Sequence, residues 1–296
     1  MHIAITGSSG LVGREFVAMA TPLGSRITRM VRGMPAEGQL QWDPLSGVSD
    51  AKGLEGVDAV VHLAGENISA RRWTAEFKRR IRDSRVLGTR SLCESLASLH
   101  RPPRVLVAAS AVGFYGDRPG EYLDESSPPG TGFLAETCRE WEDASSPARD
   151  AGIRVVFLRF GMVLSAHGGA LAKMLPPFRL GLGGRVGSGR QIWSWIAVQD
   201  AAGAIAHCLA AESLSGPVNA VAPEAVSSAE FARAVALRLR RPAFAAVPAW
   251  AARAVFGEMA DELLLSSACV RPRVLLESGF AFRYPTLSGA LQHLLG

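Results

Sequence analysis

The sequence predicts an α/β fold built on a parallel sheet with helices on both faces, and three observations carry that prediction. Short, almost wholly apolar runs alternate with longer stretches of helical periodicity through the first half of the chain. The apolar runs lack the in-and-out alternation of a half-exposed sheet, as expected where helices cover both faces. The first of them, His2-Ile3-Ala4-Ile5-Thr6, leads straight into the glycine triad Gly7-Ser8-Ser9-Gly10-Leu11-Val12-Gly13 and then into a helix-like segment. Together they describe a doubly wound, Rossmann-type sheet with right-handed crossovers.

The strands are expected at residues 2–6, 26–31, 59–63, 104–109 and 154–158, with a further one ahead of Trp42. Helices are expected between them at 11–20, 75–99 and 133–150. After Leu164 the pattern changes, and Gly181, Gly183, Gly184, Gly187 and Gly189 mark a loop or bulged strands. Helices at 201–211, 228–240 and 248–265 follow, with a strand at 218–222. Ser227 and Ser228 ahead of Glu230 read as a helix start. We divide the chain into a dinucleotide-binding part, 1–164, and a smaller C-terminal substrate lobe, 165–296, from which residues of about 195–222 return to the sheet.

Composition narrows the function classes. The chain is 48% apolar and 20% charged, which suits a packed globular core rather than disorder. Cys93, Cys138, Cys208 and Cys269 lie far apart without a CxxC pair, so free thiols are expected and no metal site. The net charge of +5 accommodates anionic ligands without calling for nucleic acid. In the densest basic run, Arg71 to Arg85, an apolar stripe of Trp73, Phe77 and Ile81 leaves the arginines largely elsewhere, read as a solvated helix face or, alternatively, an anion-binding or partner-binding face. A strand begins directly after Met1, leaving no room for a cleavable leader. The apolar stretch 243–256 is interrupted by Pro248 and Arg253 and is too short to cross a bilayer. A cytoplasmic monomer or homodimer without membrane partners, acting on a small molecule, is the expectation.

The glycine run carries the chemistry. Its glycines allow a tight turn, close approach of backbone to a pyrophosphate, and close packing of helix on strand. The helix start then turns unpaired N–H groups and a positive dipole end toward phosphate, and Ser8 and Ser9 add hydroxyls. Some twenty residues on, an acidic side chain would mark an NAD-type ribose contact. Here the segment reads Arg26-Ile27-Thr28-Arg29-Met30-Val31-Arg32-Gly33, with no carboxylate, and Arg32 is placed to bind a 2′-phosphate. NADP(H) is therefore expected over NAD(H). Leu63-Ala64-Gly65, at the end of a buried strand, supplies the small residues needed where backbone passes a ribose. Trp42 is a candidate flank for the adenine or a plain core residue.

Longer runs carry a family resemblance. They are the glycine loop, His62-Leu63-Ala64-Gly65-Glu66-Asn67-Ile68, Ser84-Arg85-Val86-Leu87-Gly88-Thr89, Ala109-Ser110-Ala111-Val112-Gly113-Phe114-Tyr115-Gly116, and Gly187 through Ile196. With Gly257-Glu258-Met259-Ala260 and the segment 279–285, they resemble the extended, epimerase-like branch of the short-chain dehydrogenase/reductase superfamily. More narrowly, the chain resembles its nucleoside-diphosphate-sugar epimerase-like "NAD-dependent epimerase family", which has its own C-terminal extension. The resemblance implies an active-site serine, at Ser110, which would also touch the cofactor. It further implies a Tyr-xxx-Lys dyad, yet the matching segment is Phe133-Leu134-Ala135-Glu136-Thr137-Cys138-Arg139, with neither residue present. Arg85 stands where extended members carry Asn, Trp193 where an Arg often meets a pyrophosphate, and Ala197 where the narrower family carries His.

Without the dyad, a proton donor has to come from elsewhere. Tyr115, at the carboxyl end of a strand, is the candidate we place beside Ser110, with packing as its other reading. Glu136, Cys138 and His167 are further candidates. The sequence supports an NADP(H)-dependent oxidoreductase or epimerase-like enzyme and, alternatively, a non-catalytic NADP(H)-binding regulatory or partner-binding protein. Nucleic-acid binding through Arg71–Arg85 would rest on charge alone.

Overall fold

A computed structural model describes all 296 residues. The chain opens with β1 (His2–Thr6), α1 (Leu11–Ala20), β2 (Arg26–Val31), β3 (Gln39–Asp43), β4 (Gly47–Val48), β5 (Ala59–His62) and α2 (Ala75–Ala97). Next come β6 (Val105–Ala111), β7 (Arg118–Leu123), α3 (Phe133–Asp143), α4 (Ser146–Asp150), β8 (Arg154–Phe160), β9 (Met162–Ser165) and α5 (Gly169–Arg179). They are followed by β10 (Gly184–Val186), β11 (Ile192–Trp193), β12 (Trp195–Ala197), α6 (Val198–Ala210), β13 (Gly216–Ala220), β14 (Val226–Ser227) and α7 (Ser228–Leu239). The chain closes with β15 (Ala245–Val247), α8 (Ala249–Phe256), a π-helical turn (Ala260–Leu265), β16 (Ala268–Val270), α9 (Arg273–Glu277) and α10 (Leu287–Leu294).

Eight strands form one sheet in the order β13-β8-β6-β5-β1-β2-β3-β4. β1 pairs in parallel with β2 on one side and with β5 on the other, Ile3 facing Ile27 and Ala59. β5–β6 and β2–β3 are parallel as well, and the short β4 turns back antiparallel on β3. The chain thus walks outward from β1 to β4, then returns to β1's other side. That reversal makes a switch point at the carboxyl ends of β1 and β5, where open α/β sheets bind ligands.

Two compact units share the chain. One comprises Met1–Ser110, Thr137–Leu158 and Ala202–Val218; the other comprises Ala111–Glu136, Arg159–Ala201 and Asn219–Gly296. In the first, Val60, Leu106, Leu92, Leu96 and Trp42 belong to one buried cluster. Trp42 is 1% exposed, so it is a core residue and does not flank a ligand. In the second, Trp195, Leu171, Phe231 and Val235 pack together, and the two-stranded pairs β9–β12, β10–β15, β11–β14 and β7–β16 belong to the same unit.

Two helices expected as single elements are divided. Residues 133–150 break after Asp143 because Pro147 enters the first turn of α4, where its missing N–H does no harm but where it cannot continue α3. Residues 248–265 break at Gly257, whose φ of +61° suits a residue without Cβ, and the chain resumes as the π-helical turn. The start of α7 follows expectation: Ser227 and Glu230 form a reciprocal capping box.

The second unit contains an unusual cap. Glu262, in the π-helical turn, accepts the backbone N–H groups of Phe133 (3.1 Å) and Leu134 (3.3 Å) at the start of α3. A Cβ on Gly132 would lie 2.6 Å from that carboxylate, so glycine there lets the acid approach. A charged acceptor on a helix start satisfies orphan donors and the dipole together. Glu262→Ala is expected to lower unfolding stability by about 1–2 kcal/mol, with Glu262→Gln recovering part of it. An unchanged urea midpoint for the alanine variant would show that the cap contributes nothing.

Candidate functional site

The carboxyl end of β1 delivers the chain into the glycine loop. Gly7 has φ of +69°, and a Cβ on it would stand 2.7 Å from the carbonyl carbon of Leu63. On Gly13 a Cβ would stand 2.3 Å from the Gly7 carbonyl oxygen. Backbone packs directly on backbone here, and nothing larger than glycine fits. The Gly10 N–H donates to the Gly7 carbonyl (3.0 Å) and closes the turn. α1 then begins at Leu11 with no side chain capping it and no acid in its first turn. Its N–H groups and positive dipole end are left for an anion.

Beneath the loop runs a buried polar relay. Thr6 Oγ1 lies 2.7 Å from His62 Nδ1, and His62 Nε2 lies 3.1 Å from Thr89 Oγ1. The Trp141 indole N–H donates to the same Thr89 oxygen (2.8 Å), and the Ala64 N–H donates to Thr6 Oγ1 (3.3 Å). Thr6, His62 and Thr89 are all fully buried. Burial pushes the His62 imidazole down to about 4, so it is neutral at pH 7, and either neutral tautomer can bond both threonines. The relay ties β1, β5, α2 and α3 together under the expected ligand segment.

Arg32 lies just past β2 and is exposed, without an ion pair. The nearby Asp43 carboxyl is held below its usual range, first by the Leu45 N–H and to a lesser degree by the Arg32 charge. Leu63 and Ala64 are half-buried and Gly65 is exposed at the end of β5. Ser110, 3% exposed, donates its hydroxyl proton to Glu142 Oε1 at 2.7 Å. The first unit contains all of these segments, and among them the glycine loop and Leu63-Ala64 are in direct contact.

Tyr115 has a different setting. It is fully buried, donates to Asn219 Oδ1 (2.8 Å) and accepts from Arg159 Nη1 (3.0 Å). The Arg159 guanidinium lies 3.5 Å from the centre of the Phe114 ring, and burial pushes the Tyr115 phenol up. An enclosed hydroxyl that donates one hydrogen bond and accepts another, with a pKa raised by burial, favours packing, the second of the two roles read from sequence. Asn219 is fixed in turn by Glu125, whose Oε1 takes its N–H at 3.0 Å. Among the other candidates, Glu136 and His167 are exposed and Cys138 is buried. Trp193 and Trp195 are buried in the second unit's core.

Sequence reasoning passed over Glu142, Thr89 and Trp141. Their roles rest on contacts of 27 to 52 residues' separation, which no local spacing announces. Arg85 carried one signal, its place in a motif position that elsewhere holds Asn. In the basic run, Arg80 pairs with Glu66 (2.9 Å) and Arg82 with Glu140 (2.5 Å), so part of its charge is neutralised. No three His, Cys, Asp or Glu side chains gather to hold a metal ion. No helix is long and apolar enough to cross a membrane.

A parallel sheet with a switch point, a glycine cradle and an uncapped helix start define a Rossmann-type protein of the dehydrogenase and epimerase class. The chain belongs to the NAD dependent epimerase/dehydratase family, whose profile matches residues 3–221, and a domain of unknown function, DUF1731, matches residues 247–294. It is 44% identical over 290 residues to an epimerase family protein of Mycobacterium bovis, covering 98% of this chain and 96% of that one. It is also similar to the human epimerase family protein SDR39U1, whose crystal structure with NADPH superposes with a TM-score of 0.93 at 36% identity, over 99% of each chain. A UDP-glucose 4-epimerase of Thermus thermophilus solved with NAD shares the fold, with a TM-score of 0.77 at 21% identity.

The His62 imidazole makes the first unit's stability depend on pH in a defined direction. Unfolded, it titrates near 6.5; folded, near 4. Between those values the unfolded chain takes up a proton that the folded chain refuses, so stability falls as pH drops from 6.5 to 4. The loss is on the order of 3 kcal/mol, and this group adds nothing further outside that window. His62→Gln is expected to remove this part of the slope when urea unfolding is followed from pH 7 to pH 5. Parallel pH profiles for wild type and variant would sink the assignment.

Proposed function

We propose that the chain is an NADP(H)-binding, oxidoreductase-like or epimerase-like protein of the short-chain dehydrogenase/reductase superfamily with an atypical active site. The cradle made by Gly7, Gly10 and Gly13 at the uncapped start of α1 carries this reading. A pyrophosphate fits there because the backbone can approach it closely and its charge meets unpaired N–H groups. Arg32, with no carboxylate beside it on β2, supports a 2′-phosphate, and the NADPH bound by human SDR39U1 supports the same choice. The bound nucleotide would supply hydride chemistry; the protein would bind, orient and exclude water.

Ser110 is the residue we assign to the substrate side. Because its proton is donated to Glu142, it meets a ligand through its lone pairs. It can therefore position an alcohol O–H, rather than polarise a carbonyl, for as long as the Glu142 contact holds. The absence of Tyr and Lys from α3, and the enclosed hydroxyl of Tyr115, favour a second reading in which the protein binds NADP(H) without turnover. Turnover with any member of a carbonyl and alcohol panel, lost in Ser110→Ala, would decide for the enzyme.

Calorimetric titration of NADPH and NADH tests the cofactor assignment. NADPH is expected to bind at least tenfold more tightly than NADH to the wild type. Arg32→Ala is expected to lose about ten- to a hundredfold in NADPH affinity, as for a charge-assisted phosphate contact. Equal binding of the two nucleotides to the wild type would overturn the assignment of Arg32.

A further inference from the structure

The second unit holds a cavity built from none of the residues of the nucleotide cradle. Its volume is about 210 Å³, and its lining comes from β10, the first turns of α7 and the segment that leads into β15. Every lining residue belongs to the second unit, whereas Gly7, Gly10 and Gly13 belong to the first. Alanines keep the cavity open: Ala229 and Ala232 on α7 and Ala245 on β15 line it. The two strands beside it approach closely, since a Cβ on Gly184 would collide with the Ala245 carbonyl oxygen.

Two cations line the cavity, Arg185 from β10 and Arg233 from α7, and neither forms an ion pair. The acid nearest Arg233 is Glu230, which is taken up by the capping box and accepts the Ser227 N–H at 2.8 Å. Its carboxyl is held below the usual range first by Ser227 and only weakly by the Arg233 charge. No other acid occurs in the contributing stretches, from Ala151 to Gln199 and from Phe231 to Gly257. Gly189 gives Arg185 its path: a Cβ there would stand 2.7 Å from the Arg185 Cδ and 3.1 Å from the Ala229 Cβ. The arginine stem therefore runs over the loop toward the start of α7. Phe244 also lines the cavity and is 85% exposed, a large ring left to solvent.

These features define a ligand class. Guanidinium forks match phosphate oxygens, and two of them match a dianion better than a single carboxylate. A phosphate monoester carries a charge of about −1.5 to −2 at pH 7. The alanines and the Phe244 ring call for an apolar body on the same molecule. The volume falls short of the roughly 300 Å³ at which sites for drug-sized ligands begin, so it holds one ring and one head group rather than a dinucleotide. We propose that this cavity is a second ligand site, which binds a small phosphate monoester with its phosphate on Arg185 and Arg233 and its apolar body against Phe244. The site goes beyond the cofactor reading and uses none of its residues.

Phenyl phosphate is the probe, titrated calorimetrically into the full chain, alone and with NADH in excess. NADH is a ligand for the cradle that carries no phosphate monoester. Saturable binding of phenyl phosphate is expected, unaffected by NADH, with inorganic phosphate, benzoate and phenol each about tenfold or more weaker. Arg185→Gln and Arg233→Gln are each expected to weaken phenyl phosphate about tenfold, as for a charge-assisted contact. Phe244→Ala is expected to weaken it about threefold and to leave inorganic phosphate unchanged. Arg190→Gln removes an equal charge from the neighbouring loop, outside the lining, and is expected to change nothing. All four side chains are exposed, and an unchanged urea midpoint verifies that the variants fold. No saturation by about 10 mM phenyl phosphate overturns the site. So does displacement by NADH, or a loss in Arg190→Gln equal to that in Arg185→Gln. Benzoate binding as tightly as phenyl phosphate overturns the dianion as its ligand.

Discussion

The approach of Gly7 to the end of β5 is the constraint on which the first unit depends. Two backbones meet there at a distance that admits no side chain, since a Cβ would stand 2.7 Å from the Leu63 carbonyl carbon. That contact sets the turn, the turn sets where α1 begins, and α1 begins with its donors free. The polar relay below it is the other half of the same constraint. It fastens Thr6 at the end of β1 to His62 at the end of β5, and both to α2 and α3. A buried network of this kind specifies one arrangement because each member left unbonded would cost the full desolvation of its group.

Around this rigid floor the charges are distributed unusually. Acid–base chemistry in the wider superfamily draws a phenol and an ammonium from one helix. In this chain that helix contributes an indole ring and a carboxylate, Trp141 and Glu142, while the Arg85 guanidinium lies over the indole from α2. Arginine holds its proton under all ordinary conditions, so it is a poor proton relay. Ser110 gives its hydroxyl proton to that carboxylate.

Legibility in the sequence followed the range of the interactions. The sheet, the glycine loop and the start of α7 could be read because their signals lie within a few residues, as with Gly7, Gly10 and Gly13 or Ser227 and Glu230. Helix interruptions were missed where a single residue, Pro147 or Gly257, outweighs a continuous apolar period. The partners of Ser110 and of Trp141 could not be read at all, since Glu142 and Thr89 come from distant segments. Tyr115 shows the limit most plainly. Its place after a strand allowed proton donation or packing, and only the enclosure of its hydroxyl by Asn219 and Arg159 separates them.

The cap that Glu262 places on α3 also bears on the order in which the molecule can be completed. The bond to Phe133 spans 129 residues, so during synthesis the start of that helix emerges long before its acceptor exists. A nascent chain halted before residue 262 would carry two helix-start donors with only water to bond. Contacts so far apart in sequence close late and slow the search for the native state. The C-terminal extension is thus a latch that the ribosome delivers near the end, and the second unit is finished only when it arrives.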